Sequence, residues 1–117
     1  MDKRKKGSTF KLAGLNGKTL KFAFRDVDLE VSDSRRGPGD HWGLAIYDDG
    51  VIWLDPEIPS SNLCREILFH EVAHFLMYFM NEFNLRGNEK FISQLGRHLE
   101  VFFRKNFDLL KKLNEKG

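Results

Sequence analysis

His70-Glu71-Val72-Ala73-His74 sets two imidazoles four residues apart with a carboxylate beside the first. On an α-helix four residues turn the chain by about 400°, so the two rings lie about 40° apart and one turn up. Ring nitrogens placed in this way can share one metal ion, and imidazole suits Zn²⁺. From position 71 the carboxylate does not easily reach the same ion. It can take a proton from water that the ion activates, which is the general-base role in metal-dependent peptide hydrolysis.

The residues around the motif are those of a helix. Leu63 to Met80 contains no Gly or Pro, and Pro59, Ser60, Ser61 and Asn62 precede it. Ser or Asn at such a start caps the first free N–H groups. From Ile67 onward the stretch is apolar almost all round, as in a helix buried on most sides. Two histidines and a glutamate buried there cost free energy, which a bound cation offsets. The competing reading is a pair of core histidines bonded to backbone, with Glu71 in a salt bridge. The motif's rarity in a chain with four His favours the metal.

A catalytic zinc takes three protein ligands and keeps one position open. Downstream candidates for the third are Glu82, Glu89, His98 and Glu100. Glu82 lies about two turns, roughly 12 Å, beyond His74 on a straight helix. A second helix is expected over 88–106, with the apolar stripe Phe91, Ile92, Leu95, Leu99, Phe102 and Phe103. Glu89 sits in its first turn at the stripe's edge, and His98 points to the opposite side. Ser93 and Gly96 share the Glu89 face and would let the two helices approach closely. Glu100 lies on the same face about three turns on, so helix geometry places Glu89 first and leaves Glu100 open. For an oxyanion-stabilising group, Tyr78, one turn beyond His74, comes ahead of Arg97 and His98, but each of the three reads more readily as a structural residue than as a catalytic one.

The elements ahead of the motif read as two hairpins. Asn16-Gly17, a favoured two-residue turn, is flanked by Phe10–Leu15 and by the alternating Lys18–Phe24. Asp48-Asp49-Gly50 is flanked by Gly43–Tyr47 and Val51–Leu54. Residues 27–40 are polar and turn-rich and read as a loop, with at most a short strand or helical turn at the start. Asp26 and Asp28 read as solvated carboxylates rather than cation ligands. After the motif helix, residues 81–88 close it, with Asn84 and Gly87 as punctuation, and 107–117 form a short helical extension. The expected class is α+β: a small antiparallel sheet of two hairpins, then the buried motif helix and a second, Glu-bearing helix.

Bulk properties narrow the range of functions. With 117 residues the chain is one domain with a modest core, here rich in Phe at eleven copies. We expect a basic arm over residues 1–8 and a single domain over 9–117. A net charge of +2 gives little support for nucleic-acid binding, and Lys3, Arg4, Lys5 and Lys6 read as a frayed terminus more readily than as a phosphate contact. Cys64 is alone, so no internal disulfide forms. The basic N-terminus has no apolar segment after it to make a signal peptide, and no apolar run is long enough for a membrane span. A cytoplasmic protein is the expectation.

His70-Glu71-Val72-Ala73-His74 followed by Glu89-Lys90-Phe91-Ile92-Ser93-Gln94-Leu95-Gly96 resembles the ImmA/IrrE-type metallopeptidases, above all the short forms encoded by phages and prophages. In that family a second helix opens on a glutamate ligand within E-x-x-A-N-x-F-A. Here Glu89 matches the ligand, while Ile92, Ser93, Leu95 and Gly96 occupy patterned positions with substitutions. The resemblance covers about residues 41–107. It implies a gluzincin arrangement in which His70, His74 and Glu89 hold Zn²⁺ and Glu71 is the general base. It also implies a protein or peptide substrate, a DNA-bound repressor being one candidate. The alternative is a metal-bound interaction or regulatory protein with little proteolysis.

Overall fold

The structure, a computed structural model, describes residues 12–33 and 41–116. Phe10, Lys11 and the basic arm lie outside the described residues. Four strands, β1 (Thr19–Lys21), β2 (Asp26–Val31), β3 (Gly43–Ile46) and β4 (Val51–Leu54), precede four helices, α1 (Ser61–Phe79), α2 (Phe83–Arg86), α3 (Glu89–Lys105) and α4 (Phe107–Lys116). The α+β class holds, with one correction. The sheet is mixed rather than antiparallel, in the order β1-β2-β4-β3. Both outer pairs are antiparallel, but β2 runs parallel to β4, with Asp28 opposite Val51 and Val31 opposite Leu54. The parallel pair buries both strands' apolar sides, and Val27, Leu29, Ile52 and Leu54 form the core with Phe75.

The first hairpin is displaced by one element. Asn16-Gly17 does not fold β1 back on the preceding segment. It closes a 3₁₀ turn over Ala13–Leu15, with Gly17 at φ +81°. Asn16 Oδ1 then accepts from the Val31 N–H (2.8 Å), and the Gly17 N–H donates to the Leu29 carbonyl (2.8 Å). The turn is therefore used up against β2, and β1 pairs with β2 across residues 22–25. Asp26 to Val31 is a complete strand: Val27 and Leu29 point inward, while Asp26 and Asp28 are exposed beside Lys21 and Thr19. The second hairpin is as expected, with Gly50 at φ +66° and its N–H on the Tyr47 carbonyl (3.1 Å).

Helix α1 starts where Ser60 Oγ accepts from the Leu63 N–H (3.1 Å). It ends earlier than expected, at Asn81 rather than at Asn84 or Gly87. Asn81 adopts φ 58°, the Glu82 N–H reaches the Met77 carbonyl (2.9 Å) and the Asn81 N–H that of Tyr78 (3.1 Å). This is the paired-bond C-cap that a left-handed Asn can supply in place of Gly. Asn88 caps α3 through the Phe91 N–H (3.0 Å). The aromatic core is narrower than eleven Phe suggests. Trp53 and Phe75 are fully buried, whereas Phe24, Phe83, Phe102, Phe103 and Phe107 are exposed. The outer end of the α3 stripe thus stays on the surface, and Ile92 is its fully buried residue.

Two glycines set the spacing of the layers. A Cβ on Gly43 would lie 2.8 Å from Ile67 Cγ2 and 3.1 Å from the Trp53 carbonyl oxygen, so α1 rests directly on β3. A Cβ on Gly96 would lie 2.9 Å from His70 Cα, 3.0 Å from His70 N and 3.0 Å from the Phe69 carbonyl oxygen. The second obstacle is backbone and cannot swing aside. Gly96→Ala should therefore push α3 from α1, costing about 1–3 kcal/mol and lowering metal affinity along with it. Urea unfolding and a zinc titration would check this; a variant matching wild type in both would refute the close-approach argument.

Candidate metal centre

His70, Glu71 and His74 all lie within α1, in the stretch that passes β3 on one side and α3 on the other. His70 Nε2 is 3.1 Å from Glu89 Oε1, and His74 Nε2 is 3.0 Å from Glu89 Oε2. The three donor atoms lie within 4.8 Å of one another. Tetrahedral zinc with bonds of about 2.0–2.1 Å holds its donors roughly 3.3 Å apart, close to these separations. Of the candidates for the third ligand, the structure brings Glu89 to the histidines. Glu100 is buried instead between Arg65 (3.4 Å) and Arg104 (2.8 Å), whose guanidinium groups hold its carboxyl below the ordinary range. Glu82 and His98 are exposed and outside the group.

The hydrogen bonding of His74 shows that the donors fit a cation. Its Nδ1 is 2.9 Å from the Arg86 carbonyl oxygen, which can only accept. Nδ1 therefore carries the ring proton, and in the neutral ring Nε2 presents a lone pair to the Glu89 carboxylate. Two lone pairs at 3.0 Å repel unless a positive charge lies between them. A proton on Nε2 is disfavoured, because burial pushes the His74 pKa below its ordinary value despite Glu89. A metal ion meets the need, and the Arg86 carbonyl holds the ring as an outer-shell partner does in metal sites.

Glu71 is 7% exposed and is pushed up to about 8, first by desolvation and then by the nearby Glu89 carboxylate. The Ala45 backbone N–H, in β3, donates to it and works in the opposite direction. A cation at the neighbouring triad would favour the carboxylate form as well. The group is thus a base whose protonation depends on what occupies the site. A cavity of about 220 Å³ is lined by Glu71, His70, His74, Glu89 and Tyr47. It adjoins a wider cleft of about 440 Å³ along Trp42, Ile67, Ser93 and Arg97.

The oxyanion candidates are rearranged. Tyr78, although one turn from His74, lines a separate surface hollow with Phe24 and Phe79. Arg97 lines the wider cleft but not the small cavity, and His98 lines neither. Tyr47, absent from the expected set, does line the cavity. Burial raises its pKa, with Arg86 acting against this and Glu71 and Glu89 in support. A local signal for it in the sequence is weak: a Tyr at the end of a hairpin strand reads as strand chemistry.

Elemental analysis should find about one zinc per chain in wild type and none in His70→Ala or Glu89→Ala; a wild type that takes up no added zinc would dismiss the centre. A second expectation concerns pH. In the metal-free fold Glu71 holds its proton up to about 8, whereas in the unfolded chain a Glu loses it near 4.3. Its contribution to stability is full below the lower value and is lost as pH rises through the upper one. Glu71→Gln escapes this loss. The melting temperature of the variant relative to wild type, both in chelator, should rise between pH 5 and pH 8.5, and a constant difference would disprove the assignment.

No protein-family model, curated protein or solved structure matches the chain, so what it does must be read from these residues.

Proposed function

We propose that the chain is a zinc-dependent metallopeptidase of the ImmA/IrrE kind, with His70, His74 and Glu89 as ligands and Glu71 as general base. The observation that carries the proposal is the convergence of both Nε2 atoms on Glu89 beside a buried carboxylate. Bound Zn²⁺ would supply Lewis acidity and a nucleophile at neutral pH. Glu71 accepts the proton of the attacking water and returns it to the departing amine. The Ala45 N–H keeps the Glu71 carboxyl directed into the cavity during both transfers. The Arg86 carbonyl keeps His74 in one tautomer. Among the described residues β3 pairs with β4 alone, so a peptide can lie along its other edge as an added strand. A repressor-like regulatory protein remains the substrate that the family resemblance suggests. No helix among the described residues is long and apolar enough to cross a membrane.

A metal-bound interaction protein with little proteolysis is the second reading. The small metal cavity, about 220 Å³, is the observation on its side. The two part on one variant. Glu71→Gln should retain zinc and lose peptide hydrolysis by at least roughly 100-fold, as expected for the loss of a general base. Hydrolysis of a mixed peptide library persisting in that variant would end the peptidase assignment. A stable complex with a partner and no cleavage by wild type would favour the second reading.

A further inference from the structure

Just past the end of β3, one residue with a neutral hydrogen-bond donor lines the cavity beside the His70–His74–Glu89 group. Tyr47 lines it together with Glu71 and the three ligands. Its ring is held on several sides. Tyr78 stacks on it at 4.7 Å and 13°, Phe75 meets it edge-on at 5.2 Å, and the Arg86 guanidinium carbon lies 5.1 Å from its centroid. Among the described residues its hydroxyl has no hydrogen-bond partner. The other polar groups of the cavity are already engaged: both Nε2 atoms face Glu89, and the Ala45 N–H serves Glu71. His41, exposed at the cavity mouth, is the remaining side chain that could donate.

Water addition to a peptide carbonyl forms a carbon–oxygen bond and moves the carbonyl π pair onto oxygen, where a positioned donor is most effective. We propose that the Tyr47 hydroxyl donates a hydrogen bond to that oxygen, which makes Tyr47 a catalytic residue. The proposal rests on the peptidase reading of the site. The phenol keeps its proton throughout, while the water proton passes to Glu71. When the carbon–nitrogen bond breaks, the pair returns to the carbonyl and the Tyr47 hydrogen bond weakens. A rigid ring suits this task, since the donor needs no reordering as charge develops. The Tyr78 stack and the Arg86 cation provide that rigidity.

The test uses zinc-loaded wild type, Tyr47→Phe and His41→Ala. Calorimetry measures binding of an N-phosphoryl dipeptide, whose tetrahedral phosphoryl oxygens stand in for the oxyanion, alongside zinc affinity and kcat and KM on a peptide library. Tyr47→Phe keeps every ring contact. It should weaken the phosphoryl probe and lower kcat by a similar factor, roughly 100-fold, with zinc affinity and KM unchanged. Unchanged kcat and probe affinity in Tyr47→Phe, lost zinc binding in that variant, or the expected loss appearing in His41→Ala instead would each overturn the proposal. Zinc and probe binding without cleavage by wild type would remove the peptidase reading, while weaker probe binding by Tyr47→Phe would still support the donor role. Wild type that takes up neither zinc nor probe would overturn both.

Discussion

At Gly96 the backbone of α3 comes so near His70 that an added Cβ would lie 2.9 Å from its Cα, and this contact governs where Glu89 can be. Glu89 sits in the first turn of α3, about two turns before Gly96. With the helices that close, its carboxylate spans both imidazoles of α1. The same α1 is pressed from its other side against β3, where Gly43 leaves no room for a side chain. The motif helix is thus clamped between an edge strand and a second helix, with a glycine at each contact. The edge strand supplies the Ala45 N–H to Glu71, and the second helix supplies the carboxylate that completes a group able to hold a metal ion.

This clamping has an energetic cost. Glu71 is buried beside another carboxylate, and His74 is half-buried with its lone pair toward Glu89. Neither arrangement is favourable in a metal-free chain, as the raised Glu71 and lowered His74 show. Binding that favours the folded state over the unfolded one stabilises the fold, and a site with these local strains gains from a cation twice. A cation there would neutralise the opposed donors and return Glu71 to its ionised form.

The parts of this arrangement that depend on neighbours in sequence could be read from it. His70-Glu71-Val72-Ala73-His74 gives its geometry through helix pitch alone, Asn88 marks the start of α3, and Asp48-Asp49-Gly50 marks a hairpin. Ser93 and Gly96 signalled close helix packing by size. Features fixed by distant partners were not legible. Asp26 to Val31 alternates acids with Val and Leu, yet its acidity masks a strand whose pairing with β4 is parallel and non-local. Asn16-Gly17 is a strong turn signal whose flanking partner was misassigned, since the turn bonds to Leu29 and Val31. Asn81 in a left-handed conformation ends α1 where Gly87 looked the more natural stop. Tyr47 is far from the motif in sequence, and only the β3–α1 contact brings it to the metal cavity.

The short connector between α1 and α3 has a role that its length conceals. Asn81 turns the chain, α2 presents the Arg86 carbonyl to His74 and the Arg86 guanidinium to Tyr47, and Asn88 starts the helix that bears Glu89. It acts as a ruler. Adding or removing one residue would shift the carbonyl that orients His74 and strain the cap from which α3 starts. Loops in general tolerate insertions, but this one holds His74, Tyr47 and the start of α3 through its own contacts, and a change in its length would disturb all three.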